Sequence, residues 1–500
     1  MKYKVIYILS LIFMIITTFA FEWVPFKSNR YHQHRSEEVK QPCNVHNDDA
    51  FCTHLPLMNI TTDGAMPSPF ITDENGNPLK DINGSTVQND EMVAAKVEYF
   101  DKSTGNNHIT DTPEVFEKAL IRPRGRSSRS HDKKGYYLKF KEENYLDNKK
   151  VVLSGMTEDS DWVLHGPYLD KTLIRNYLSY NLAGEIMEYS PNVRFFEMFI
   201  NGEYQGVYVL IEKNKYNDEG RIKVTETDSD MISTSYILAL DTGSKDELHR
   251  LETFTYYTGK NGRKSSLSEQ LEIVYPSTTL TEVQKEYIQN DISKFEKALS
   301  SFDSGDKKIG YPSFIDVQSF IDYFIINEFT MNSDASRLST YFYKDIRGKM
   351  KIAVWDFNSA FDNYITSMSE PHGFLMADKF WYEYLLKDKN FVDAIIKRYG
   401  ELRKTFLSDE YLLNYIDETI EYLGPAIDRN YEKWGYTFSE EHNMLEPDER
   451  NPENYEEAVK QLKEAIVERG AYLDKNIEKL YALAHDSINK KFKHDTGEGK

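Results

Sequence analysis

Two aspartates carry the most suggestive chemistry in the chain. Asp334 follows a predicted helix, and Asp356 closes a predicted hairpin in the run Trp355-Asp-Phe-Asn358, 22 positions later. The hairpin returns the chain on itself, so both carboxylates can emerge at one end of a single rigid unit. Phosphoryl transfer asks for such a pair: one carboxylate orients or deprotonates the attacking hydroxyl, and another holds a divalent cation against nucleotide phosphates. Ordinary protein kinases use the same order and end it in Asp-Phe-Gly, whereas Asn358 stands here in place of the glycine. His-Arg-Asp, a glycine-rich nucleotide loop and a Walker-type loop are all missing from the sequence. Taken singly, Asp334 reads better as a cap or turn residue and Asp356 as a strand terminus. Their combination gives the chemical reading its weight.

Several elements must position this pair. Val317, Phe320, Ile321, Phe324 and Ile325 recur at i, i+3, i+4, i+7 and i+8, which predicts a buried helix over 316–330. Strand-like runs over 340–345 and 350–355 flank Arg347-Gly348 and predict the hairpin. Upstream, 136–141 alternates as a half-buried strand, and Leu173, Ile174, Leu178 and Leu182 predict a helix within 170–188. Asn201-Gly202 between β-rich runs at 194–200 and 203–212 predicts a second hairpin. Short alternating stretches over 54–99, punctuated by Asn-Gly, predict strands, and a seam of apolar residues over 455–480 predicts a long helix.

Other residues in these elements suit a nucleotide. Lys139 sits mid-strand, where it can neutralise phosphates or simply face water. Arg124 and Arg126 lie in a serine-bearing loop whose guanidinium forks fit phosphate oxygens, although a solvated loop explains them almost as well. Glu212 and Lys213 close a strand whose backbone could meet an adenine edge.

The bulk properties bound the alternatives. Five hundred residues, 40% of them hydrophobic and 14% aromatic, supply a large core for two or three packed units. A net charge of -20 argues against a broad grip on nucleic-acid phosphates and favours a basic protein partner. The twelve histidines form no His-Glu-x-x-His pattern, which argues against a metallohydrolase. Two N-terminal lysines and an apolar run to Phe21 read as an export signal or a membrane anchor. In an exported context Cys43 and Cys52 are able to pair.

Several segments together resemble the CotH kinase family. They are Arg124-Gly-Arg-Ser-Ser-Arg129 with Tyr137-Leu-Lys-Phe140, and Asp170-Lys-Thr-Leu-Ile-Arg175-Asn. Next come the 199–213 hairpin and Asp322-Tyr-Phe-Ile-Ile-Asn-Glu-Phe329, followed by Asn332-Ser-Asp334 and Trp355-Asp-Phe-Asn358. The resemblance covers roughly 50–435 and implies an α+β, atypical two-lobed kinase-like fold. Its expected parts are a leader over 1–22, a linker over 23–53 and an N-terminal β segment over 54–120. An N-lobe over 121–240, a C-lobe over 241–435 and a helical extension over 436–500 follow. The resemblance implies transfer of the ATP γ-phosphate to serine or threonine of a coat or cell-surface protein, or a non-catalytic coat-assembly scaffold or surface adhesin that retains the fold. Asp334 matches the catalytic aspartate, and Asp356 with Asn358 the Mg²⁺ or Mn²⁺ site. The family more often has aspartate at the position of Asn358, and an amide brings a metal no negative charge. Arg124, Arg126, Lys139 and Glu212 are the expected nucleotide contacts.

Overall fold

The computed structural model describes residues 30–36, 51–80, 84, 86–217, 221–241, 246–255, 270–364 and 373–485. The predicted leader, Cys43 and residues 486–500 lie outside these. Among the described residues no helix is long and apolar enough to cross a membrane.

Alternating apolar residues dictate strands in the first half. A two-residue ladder pairs β1 (Cys52–Thr53) with β4 (Asn107–His108). A closed barrel runs β2 (Leu57–Thr62), β3 (Val93–Phe100), β5 (Val115–Arg124), β6 (Gly135–Lys141), β7 (Asp161–His165), β9 (Glu203–Glu212) and β8 (Val193–Ile200). Its neighbours are antiparallel except the closing pair, where β2 runs parallel to β8 from Leu57 opposite Glu197 to Ile60 opposite Ile200. Every second residue points inward, so Ile60, Val97, Ile121, Leu138, Phe140, Trp162, Met198 and Leu210 fill the interior. The predicted 201–202 turn joins β8 to β9, with Asn201 and Gly202 both at positive φ as a two-residue hairpin requires.

The barrel corrects the expected division. A boundary at 120/121 would cut through β5, and the supposedly separate 54–120 segment supplies three of the barrel's strands. Barrel closure needs a partner for the edge of β8, and β2 provides it.

Outside the barrel, the fold combines a four-stranded antiparallel sheet with helices. The sheet order is β11 (Gln270–Tyr275), β10 (Tyr236–Asp241), β12 (Thr340–Lys344) and β13 (Lys351–Ala353). Among the described residues, helices include α1 (Gln33–Ser36), α2 (Arg175–Ile186), α3 (Glu282–Leu299), α4 (Val317–Phe329), α5 (Tyr382–Leu385), α6 (Lys389–Leu402), α7 (Asp409–Leu423), α8 (Pro425–Trp434) and α9 (Tyr455–Asn476). One core joins them, with Leu178, Phe320, Phe324, Ile395, Ile416, Leu462 and Ile466 packed alongside the barrel's outward-facing Phe195, Val209 and Ile211.

The expected C-terminal extension is thus not peripheral. Arg469 of α9 pairs with the buried carboxylate of Glu328 on α4 and donates to the Gly373 carbonyl at 3.0 Å. Glu328 also receives the Leu375 and Met376 amides at 2.9 and 2.8 Å. Part of the expected linker is structured as well, because His32, Gln33 and His34 are buried.

Candidate active site

The predicted helix forms as α4, and Asp316 starts it by accepting the Ser319 amide at 3.0 Å. Such a cap stabilises a helix by about 1 kcal/mol. Beyond its C-terminus the chain turns through Met331 at a φ of 52° and reaches Asp334. The Asp334 carbonyl accepts the Arg337 and Leu338 amides, which closes a tight turn around the residue. The hairpin β12–β13 then brings the chain back with Tyr341 opposite Ala353. Asn332 joins its two ends, since its side-chain amide donates to Asn327 Oδ1 at 3.0 Å and to the Asp356 carbonyl at 3.1 Å.

Asp356 adopts a left-handed backbone with a φ of 57°, a conformation that costs a non-glycine residue roughly 1–2 kcal/mol. Neighbouring groups hold it there. Its amide donates to the Tyr180 hydroxyl at 2.9 Å, and the next amide, that of Phe357, donates to Asn176 Oδ1 at 3.1 Å. Both acceptors stand on α2, one turn apart. Arg175, at the start of the same helix, donates to the Ala360 carbonyl at 3.0 Å and pairs with Asp170 at 2.7 Å.

The electrostatics unite the two aspartates. Burial and the nearby Asp356 carboxylate push Asp334 from the ordinary 3.8 up to about 6, with a further push from Asp241. Burial likewise raises Asp356, opposed by the charge of Arg124. Arg124 lies with its guanidinium 5.7 Å from the centre of the Trp355 ring. Asp334 is thus near enough to feel the charge of Asp356, and Asp356 near enough to feel that of Arg124.

The remaining expected contacts are distributed differently. Arg126 is exposed and follows Gly125, whose φ of 101° favours glycine; a Cβ there would also clash with Ser128 Oγ. The charge of Arg126 is felt by Glu272. Lys139 points away from the barrel core and lies 3.9 Å from Asp161. Glu212, whose backbone is the expected adenine contact, turns its side chain inward. Its buried carboxylate accepts the Thr157 amide at 2.9 Å and the Asn192 amide at 3.0 Å, and its own amide donates to the Asn192 carbonyl. Asn358 turns Oδ1 toward Asn176 Nδ2 at 2.6 Å, while its backbone amide donates to Asp356 Oδ1 at 3.1 Å. In this arrangement it supports the Asp356 loop.

Sequence reasoning missed Tyr180, Asn176 as a loop anchor, and Asp241. Helical spacing from Asn176 to Tyr180 was visible, but nothing local tells which row of α2 faces the Asp356 loop. Asp241 had a weak signal, a carboxylate at the end of an apolar strand. Glu272, raised to about 7 by burial and Asp241, lies on the neighbouring strand β11. Among the described residues no group of three or more His, Cys, Asp or Glu is arranged to hold a metal.

The family model described as CotH kinase protein matches residues 121–473. The inner spore coat protein H of Bacillus subtilis (strain 168) is 22% identical over 313 residues, covering 62% of this chain and 75% of that relative. The family match extends past 435 and takes in most of α9, in keeping with that helix's place in the core. It spans well over half of the 500 residues and contains the whole helix–hairpin unit that carries Asp334 and Asp356, so the chain belongs to the CotH family.

Proposed function

We propose that this chain is an atypical, two-lobed protein kinase that transfers the γ-phosphate of ATP to a serine or threonine hydroxyl of a protein. The observation that carries the reading is the meeting of Asp334, raised to about 6, with Asp356 and Arg124 at the end of one helix–hairpin unit. A carboxylate of that basicity is suited to accept a hydroxyl proton near neutral pH. As the acceptor oxygen forms its bond to phosphorus, its proton passes to Asp334 and the bond to the β-phosphate oxygen breaks, releasing ADP.

The acidic pair fits a hard divalent cation. Both carboxylates are held above their ordinary range, so a positive ion would relieve their repulsion. Magnesium sites commonly use one or two carboxylates and complete the shell with substrate phosphates, so a dedicated cage of three protein ligands is unnecessary. Asp356 would hold Mg²⁺ or Mn²⁺, and Asn358 would keep the Asp356 loop in place. When bound, the metal would neutralise charge on the transferring phosphoryl group. Arg124, Arg126 and Lys139 would meet phosphate charge.

An acidic surround favours a basic, serine-rich acceptor. Asp241 and Glu272 contribute acidic groups within a chain whose net charge is -20. The relative's name places that protein in the inner spore coat, and by this likeness we place the present chain at a spore coat or cell surface after export.

The test is incubation of the full chain with γ-labelled ATP, a basic serine-rich peptide and Mg²⁺ or Mn²⁺, beside Asp334→Ala and Asp356→Ala. Label should move to the peptide only with the unaltered protein. Absence of both transfer and metal-dependent nucleotide binding would instead support a scaffold that retains the fold.

A further inference from the structure

A short segment of the expected linker is seated against the helix that holds the Asp356 loop. His32 is 3% exposed and Gln33 is fully buried. His32 contacts Glu185 Oε1 at 2.6 Å and the Tyr415 hydroxyl at 3.0 Å. Gln33 clasps the backbone of Phe195 on β8, accepting its amide at 2.7 Å and donating to its carbonyl at 3.2 Å. His34 places Nδ1 2.9 Å from the Tyr177 hydroxyl, and burial holds its imidazole neutral, lowered to about 2. Arg35 closes the contact on α7, with Nε 2.6 Å from Glu418 and Nη1 3.0 Å from the Tyr411 hydroxyl. Four consecutive side chains thereby touch β8, α2 and α7 together.

The partners on α2 follow helical geometry. Tyr177, Asn181 and Glu185 are spaced by four, so they form one row on the helix. Tyr177 and Glu185 meet the segment, while Asn181 donates to the Tyr415 hydroxyl at 2.9 Å. Asn176 and Tyr180 form the adjacent row, and they receive the Phe357 and Asp356 amides. One rigid helix therefore carries the seated segment on one row and the strained Asp356 loop on the next. Displacing the first row moves the acceptors that fix the second.

We infer that His32–Arg35 are positioning residues for the Asp356 loop, acting through α2. They touch none of the groups proposed to react. Their bearing on catalysis rests on the proposed kinase reading, but their effect on loop geometry can be measured without any transfer.

Hydrogen exchange on the full chain tests this. The double variant Gln33→Ala/His34→Ala should speed exchange at the Asp356 and Phe357 amides at least tenfold, while β3 and β5 of the barrel exchange as before. Tyr177→Phe, which removes only the hydroxyl facing His34, should give a smaller increase at the same two amides and guards against misfolding of the double variant. His34→Asn keeps a polar atom near the Nδ1 position and should stay close to the unaltered protein. The inference is overturned if residues 33–36 open while the Asp356 and Phe357 amides remain protected in both variants. It is equally overturned if the barrel strands lose protection to the same degree, because the segment would then serve general stability alone. Neither outcome bears on whether the protein transfers phosphate.

Discussion

Asp334 has two properties that pull in opposite directions. Burial and the neighbouring carboxylate raise it from 3.8 to about 6, so its ionised form is costly to the folded state. The folded protein binds this proton more tightly than the unfolded chain between those values, and stability is lost as pH rises through that window. A tenfold change in proton affinity corresponds to about 1.36 kcal/mol, and solvent at this half-buried site reduces the effect to on the order of 1–2 kcal/mol. Asp334→Asn should therefore melt higher than the unaltered protein at pH 7 in metal-free buffer, with the gain fading near pH 4. Scanning calorimetry at both pH values checks this, and an equal gain at both would show that charge is not the cause. The same variant should lose phosphate transfer. With Asp334 as base, kcat/KM of the unaltered protein should rise with pH through a value at or below 6, because a bound cation lowers the carboxylate's affinity for protons.

At the scale of elements, α2 and α9 act as braces for the helix–hairpin unit. Tyr180 accepts the Asp356 amide, and Tyr180→Phe removes that acceptor while keeping the ring packed against Phe357 at 5.3 Å. Loss of one such bond costs about 1 kcal/mol. Its sharper effect should be on the site, measured as weaker Mg²⁺-dependent nucleotide binding with little change in melting temperature. The α9 brace differs, because Arg469 neutralises a buried carboxylate that also gathers the Leu375 and Met376 amides. Breaking a buried pair from one side costs about 3–5 kcal/mol. Arg469→Ala should lower unfolding free energy in urea by that amount, whereas a loss below about 1 kcal/mol would mean that the pair is dispensable.

For the whole molecule, the notable feature is the shared core. Outward-facing barrel residues and the helices belong to one apolar cluster, and Arg429 of α8 reaches Glu197 of β8 with contacts of 2.9 and 2.7 Å. Barrel and helical body should therefore unfold together. Calorimetry should show one transition whose van't Hoff and calorimetric enthalpies agree, and two separated transitions would refute the coupling. The charge of -20 makes a second expectation, that KM for a basic acceptor rises as salt screens the attraction while KM for ATP changes less.

Local pattern was sufficient for much of this protein. The periodicity of Val317 to Ile325 marked α4, Asn201-Gly202 marked the β8–β9 turn, and the runs around Arg347-Gly348 marked β12 and β13. The order of Asp334 and Asp356 around that hairpin was legible for the same reason, because a hairpin is set by residues close in sequence. What sequence could not decide was long-range pairing: β2 closing a barrel against β8, Glu212 turning inward to bind two loops, and α9 lying in the core. A linker-like composition also concealed His32 to Arg35, whose partners lie more than 140 residues away. Periodicity reports that a residue has a buried face, but only the tertiary structure decides what that face meets, since burial free energy is not directional and the partner is chosen by the packing of the entire chain.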